Sequence, residues 1–299
     1  MDAISVNQLS KYYGKARALE EVSFTVPQGR LVGFLGPNGS GKSTTIRILL
    51  GMVRATSGTA RVLDQDCWKG GPSLRQQVGY VPAELHCFIH LTGADNLSFL
   101  ADARGIDCQN EIDRLTQVFQ LDLSRRVRDY SSGMRQKLGL IQAMMHRPRL
   151  LVLDEPTNNL DPLVRQVLYG ELVQVVERGQ TVLLSSHTLS ELESLCEEIV
   201  ILRDGQVVDH QTMETLRLRA GRKITMVFPD SEKIPEDYPD SLEITACQEN
   251  RITAVWNGPL EPFLSWISTV PLHDLVIAPP DLEHLFLSYY RCQQSELRP

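Results

Sequence analysis

Apolar and polar positions along the chain fall into segments of two periods. Alternation in "ISVNQLS" and "EVSFTV" predicts two early strands, each with one face toward a core. "RLVGFLG", residues 30–36, is instead a continuous apolar run ending at a glycine, the pattern of a strand covered on both faces. "KSTTIRILLGMV", 42–53, then reads as a helix that buries Ile46, Leu49 and Leu50. A strand-rich stretch follows, up to "VGYVP" at 78–82. From about 92 to 146 the period becomes helical, with Thr92 as an N-cap and helices over 94–104, 111–120 and 134–146. "RLLVLDE" and "TVLLSS" are again continuous apolar runs of strand length, as in a parallel sheet covered on both faces. Between them, Asp161 and Pro162 supply an N-cap and a proline at the first helical position, opening a helix to about Arg178. "EIVILRDGQVVDH" reads as a hairpin turning at Asp204–Gly205.

A short Arg-rich helix over 211–222 ends this region. Residues 221–299 carry strands near 223–228, 242–247 and 251–256 and a Trp-containing helix near 260–268. A final helix, "DLEHLFLSYY", spaces Leu282, Leu285, Phe286 and Tyr289 as a packing face. The expected architecture is therefore a large α/β domain with a mainly parallel sheet over residues 1–220, followed by a small α+β domain over 221–299. Within the first, an antiparallel β subdomain and a helical subdomain at about 88–146 flank the sheet.

Composition narrows the class. The chain has 299 residues, 42% of them apolar, and a net charge of −7, which disfavours nonspecific nucleic-acid binding. Residues 221–299 hold six Lys/Arg against twelve Asp/Glu, so most of the negative charge sits there. No stretch approaches the roughly 18 uncharged apolar residues of a membrane span. "MDAISVNQLS" lacks the basic and apolar regions of a secretory signal, so a cytosolic chain is expected. Cys67, Cys87, Cys108, Cys196, Cys247 and Cys292 are scattered without a CxxC pair, as for free thiols in a reducing compartment.

The candidate chemistry centres on "GPNGSGKST": Gly36, Pro37, Asn38, Gly39, Ser40, Gly41, Lys42, Ser43 and Thr44. It satisfies G-x-x-x-x-G-K-[ST] between an apolar strand and an amphipathic helix, the setting of a P-loop NTPase. The glycines let backbone N–H groups turn inward around a diphosphate, and the helix N-terminus adds a favourable partial charge. Lys42 is expected to reach the β/γ-phosphates and Ser43 to ligate Mg²⁺. In "LLVLDEP", 150–156, Asp154 ends an apolar strand at the ligand-binding edge of a parallel sheet, where it would hold Mg²⁺ through water. Glu155 follows, in place to orient or deprotonate an attacking water.

The order of phosphate loop, "YSSGMRQKL", "LLVLDEP", "NNLDP" and "SSH" resembles the nucleotide-binding subunit of ABC transporters over residues 4–215. The resemblance implies an ATPase using ATP and Mg²⁺, paired with a second ATP-binding chain and with transmembrane permease subunits at the cytoplasmic face of the membrane. With one cassette, no heptad array and an acidic balance, no nucleic-acid partner is expected. It gives Tyr13, or its neighbour Tyr12, the adenine-stacking place. Asp161 matches an inter-subunit aspartate, and His187 a histidine at the γ-phosphate. Ser131, Ser132 and Gly133 match the signature that completes the site of the opposite chain. Two positions depart from the family pattern. "YSSGM" stands for LSGGQ, and "GYVPAEL" has Ala83 where a glutamine is usual. Glu84 either takes that residue's Mg²⁺ role or lies in a loop that only couples motion.

These variants, the chain length, "GMVRATSG" and the ending "PPDLEHLFLSYY" are similar to the bacterial drug- and antibiotic-exporter branch. That implies export of a hydrophobic compound, with a homodimer as the simpler assembly. Two other readings stay open: an importer subunit whose C-terminal domain binds a regulatory ligand, and a soluble ABC-type ATPase acting on ribosomes or DNA. Saturable ligand binding by the C-terminal region would favour the first, and co-purifying RNA or DNA the second. Residues 221–299 read as a dimer-stabilising or permease-contacting module.

Overall fold

The computed structural model describes residues 1–230, 234–235, 237–280, 282 and 285–286. The chain divides into two compact units, Met1–His210 and Gln211–Pro299, a boundary that falls before the Arg-rich helix rather than after it.

In the first unit, β1 (Asp2–Tyr13) and β2 (Ala16–Pro27) form the expected antiparallel pair. β3 (Leu31–Leu35), with all five residues buried, follows and leads into α1 (Lys42–Leu49). Ile46, Leu49 and Leu50 are buried as the pattern predicts, but the helix stops earlier than the predicted Val53. Gly51 takes φ +65° and packs against the Cys67 carbonyl, which a Cβ would approach to 2.5 Å, so the chain turns away there. β4 (Ser57–Val62) and β5 (Gln65–Asp66) complete a sheet of order β2-β1-β4-β5. α2 (Gly71–Gln76), a helix of six residues, precedes β6 (Val78–Val81) and is too short for its period to be read.

The helical block contains α3 (Gly93–Arg104), α4 (Gln109–Phe119) and α5 (Ser132–Met144). Thr92 caps α3 with a reciprocal pair of bonds to Asp95. β7 (Leu150–Asp154) and β8 (Thr181–Ser186) flank α6 (Pro162–Glu177), and the short α7 (Leu189–Glu193) precedes the hairpin of β9 (Glu198–Arg203) and β10 (Gln206–Thr212). Asp204 and Gly205 both take positive φ at its turn.

The six-stranded sheet runs β10-β9-β3-β8-β7-β6, with β6, β7, β8, β3 and β9 parallel. Its one face joins the antiparallel sheet through a core that includes Phe24, Phe34, Ile46, Leu49, Val152 and Leu183. Each such side chain contributes about 1.5–3 kcal/mol on burial. On the other side, Arg114 of α4 bonds Glu111 at 2.7 Å and Glu171 of α6 at 2.8 Å, a charged clamp between helical block and core.

The second unit holds α8 (Met213–Ala220), β11 (Arg222–Val227), β12 (Leu242–Gln248), β13 (Arg251–Trp256), α9 (Leu260–Ile267) and β14 (Asp274–Pro280). The sheet order is β12-β13-β11-β14, with antiparallel pairs throughout. Ile224, Met226, Phe228, Ile252, Trp256 and Phe263 form its core. β14 was not expected, because "DLVIAPP" ends in two prolines; at the sheet edge their missing donors cost little. Most of the predicted final helix, with Tyr289 and Cys292, lies outside the described residues.

Candidate nucleotide site

The parallel register sets the three site-bearing turns level. Leu35 pairs with Ser186 and Asp154 with Ser185, so β3, β7 and β8 release their chains at one edge of the sheet. In parallel α/β sheets that edge is the ligand-binding one.

The loop after β3 is fixed by contacts that need glycine. A Cβ on Gly36 would stand 2.4 Å from the Leu202 carbonyl and 2.4 Å from Ser40 Oγ. Gly41, at φ +104°, caps α1 from a conformation other residues rarely adopt, and its Cβ would meet Leu19 at 2.6 Å. Gly36 N donates to the Ser186 carbonyl at 3.2 Å, tying the loop to β8. α1 has neither a side-chain cap nor an acidic first turn, so its N–H groups and positive end stay free for an anion. Ser40 Oγ is buried beside them, without a partner among the described residues.

Lys42 is only 5% exposed and points back over the loop. Its Nζ donates to the Gly36 carbonyl at 2.6 Å and to Pro37 at 3.2 Å, and lies 3.3 Å from Glu155 Oε1. Glu155 Oε2 accepts from Asn158 Nδ2 at 3.1 Å and lies 3.2 Å from His187 Nδ1. Burial pushes the Glu155 carboxyl up, but the Asn158 amide, the Lys42 charge and His187 outweigh it and hold the group below its ordinary value. Glu155 itself takes φ +51°, a strained setting kept by bonds from its N–H to the Ser185 carbonyl and hydroxyl.

Asp154 is buried, and Ser185 Oγ donates to its Oδ1 at 2.7 Å. Oδ2 accepts no hydrogen bond among the described residues, and the Ser43 hydroxyl makes none. These are two hard oxygen donors of the kind that fit Mg²⁺, which takes one or two protein ligands and completes its shell with phosphate and water.

The structure thus brings Lys42, Glu155 and His187 into contact and places Asp154 beside them. Asn158 and Ser185 were missed as members of this group. The paired serines inside an apolar strand signalled the second; nothing in the spacing singled out Asn158 from Asn159.

A family model described as ABC transporter matches residues 19–158. The bacitracin transport ATP-binding protein BcrA of Bacillus licheniformis is 33% identical over 236 residues, covering 77% of this chain and 76% of that protein. The chain belongs to the ABC transporter ATP-binding proteins. The linearmycin resistance ATP-binding protein LnrL of Bacillus subtilis is 34% identical over 223 residues, 73% of this chain and 72% of its own. The ATP-binding subunit of an ABC transporter of known structure superposes with a TM-score of 0.67 at 32% identity, over 73% of this chain and 92% of that one. This chain is accordingly an ABC-type ATPase subunit that binds ATP.

Other expected residues of the cassette make local contacts of their own in the single chain. Ser131 caps α5, its Oγ accepting from Met134 N at 3.2 Å, and Ser132 is exposed. A Cβ on Gly133 would press the Asn159 carbonyl at 2.9 Å, so this turn packs on the Asp161 loop of its own chain. Asp161 caps α6 by accepting from Val164 N at 3.0 Å. Tyr13 is half exposed, with Lys11 Nζ 4.9 Å from its ring centre, and Tyr12 is 40% exposed. Glu84 is exposed, and among the described residues its carboxylate makes no bond.

Proposed function

We propose that this chain is the motor of an exporter for a hydrophobic, antibiotic-like compound, acting with separately encoded membrane subunits at the cytoplasmic face of the membrane. The observation that carries the ATPase reading is the convergence of Lys42, Glu155 and His187 at one sheet edge. Names of the relatives, for bacitracin transport and linearmycin resistance, support the direction and the substrate class.

In this reading Gly36–Thr44 wraps the phosphates, with Lys42 releasing the loop carbonyls to meet them. Ser43 and Asp154 would hold Mg²⁺, which would supply charge neutralisation for the phosphates. Glu155, kept ionised and aimed by Asn158, accepts a hydrogen bond from the attacking water, and His187 is the neighbour that faces the γ-phosphate. Tyr13 stacks on the base. Ser131, Ser132 and Gly133, at the N-terminal end of α5, serve a second copy of the chain in this reading, with Asp161 at the same junction. An exposed aromatic patch supports a docking place for the membrane subunit: Phe88 and Phe99 pack edge-on at 5.1 Å while each is about half exposed, beside Ile89. Glu84 lies in the loop leading to that patch and is read as coupling motion rather than holding metal. The small second domain is read as a module that steadies the assembly.

The test is co-expression with the membrane subunits in cells challenged with a hydrophobic peptide antibiotic. Wild-type chain should raise the inhibitory concentration and Lys42→Ala should abolish the gain. Equal protection by Lys42→Ala would refute the proposal.

A further inference from the structure

Outside the nucleotide-contacting residues, one part-buried polar chain joins the turns on which they sit. Glu191, in the first turn of α7, is 17% exposed and lies among groups that point at it from two elements. Ser186 Oγ, at the end of β8, donates to Glu191 Oε2 at 2.6 Å. Arg165 of α6 brings its Nη1 to 3.6 Å from Glu191 Oε1. The same guanidinium donates from Nε to the Leu160 carbonyl at 3.0 Å, immediately before Asp161. Ser186 Oγ also accepts from Thr188 N at 3.0 Å, which closes the backbone around His187. The Ser186 carbonyl is the group that holds Gly36 N.

We propose that Arg165 and Glu191 are positioning residues that lock the turn carrying His187 to the turn carrying Asp161. The inference rests on the reading of Glu155 and His187 given above. Its physical basis is that His187 is half exposed and has only Glu155 as a side-chain partner among the described residues. The direction of its ring is therefore set by the backbone, and that backbone is held by the Ser186 hydroxyl, which Glu191 holds in turn. Arg165 extends the link to the loop where a second chain is expected to meet this one. The Arg165 guanidinium faces the Glu191 carboxylate while it donates to the Leu160 carbonyl, so one side chain ties the two turns together.

The test uses the full chain and compares ATP turnover of the wild type, Glu191→Ala, Glu191→Gln and His187→Ala. Glu191→Ala is expected to lower kcat about tenfold, since a displacement under 1 Å already costs rate. KM for ATP should stay within about twofold, because no nucleotide contact is removed. Glu191→Gln keeps an acceptor for the Ser186 hydroxyl and should recover most of the loss. A kcat for Glu191→Ala within about twofold of wild type, or a Gln variant no better than the Ala one, overturns the proposal. Should Glu191→Ala fail to fold, Ser186→Ala removes the same link, and a wild-type kcat there also overturns it. If His187→Ala turns over normally, the reading of the site falls and this inference with it. If His187→Ala is inactive while Glu191→Ala is normal, the inference alone falls.

Discussion

Replacing Gly36 by alanine perturbs the loop at its tightest point. The added Cβ would lie 2.4 Å from the Leu202 carbonyl, about 1 Å inside ordinary van der Waals contact, which begins near 3.4 Å. That oxygen belongs to β9, which pairs with β3 one residue away, at Leu35–Ile201, so it cannot rotate aside. Either the loop or the sheet must part by roughly 1 Å, at about 1–3 kcal/mol of overpacking. At about 2–4 °C per kcal/mol for a chain of this size, melting should fall by roughly 2–12 °C. The same shift carries away the Gly36 carbonyl that holds Lys42 and the N–H that holds Ser186. Turnover should then drop about a hundredfold, the loss that accompanies a 1 Å misplacement. Gly39 is the control: it is exposed, at φ +84°, with no atom within 4 Å of a Cβ. Asn tolerates that conformation, so Gly39→Asn should melt like wild type. The assays are thermal melting without nucleotide and steady-state phosphate release. A Gly36→Ala chain that melts and hydrolyses like wild type would refute the reasoning.

Three further perturbations probe other parts of the molecule. Burial, aided by the nearby Arg104 charge, pushes His146 down to about 4, and its Nδ1 is buried without a partner among the described residues. The unfolded chain protonates this histidine below about 6.5 while the folded chain does not, so the stability it contributes is full above pH 6.5 and lost as pH falls toward 4. Melting followed across that window should show a slope that His146→Gln removes; an unchanged slope assigns it elsewhere. Ser132→Gly should leave turnover intact, since Ser132 is exposed at the first position of α5. Gly133→Asp should abolish hydrolysis while the chain still binds a fluorescent ATP analogue. Lost binding would mean that pressure on the Asn159 carbonyl, not the charge, is what the variant reports.

The elements most legible in the sequence were those whose period matched their burial. The strands inside "RLVGFLG" and "RLLVLDE" (Leu31–Leu35 and Leu150–Asp154) and "TVLLSS" have every residue buried, and their ends at Leu35, Asp154 and Ser186 lie at one edge. α6 begins at the Asp161–Pro162 cap for the reason the sequence indicated. Short elements escaped: α2 and α7 span fewer than two turns, and β14 hides behind its prolines. The site's contacts were less legible than its members. That Lys42 and His187 converge with Asn158 on one carboxylate depends on loop paths between distant parts of the sequence, which no local spacing encodes. The Arg165–Glu191 pair was invisible for the same reason, since a charge on a helix reads as solvated surface.

The central claim is that Glu155 drives hydrolysis at a site completed by a second chain. The decisive measurement is the mass of Glu155→Gln in solution with ATP and Mg²⁺, taken alongside its phosphate release. The glutamine keeps the shape but cannot accept the water's proton. The account predicts no turnover and a stable species of twice the chain mass that falls apart when ATP is removed. Turnover at the wild-type rate, or an inactive chain that binds ATP yet stays monomeric, would contradict it.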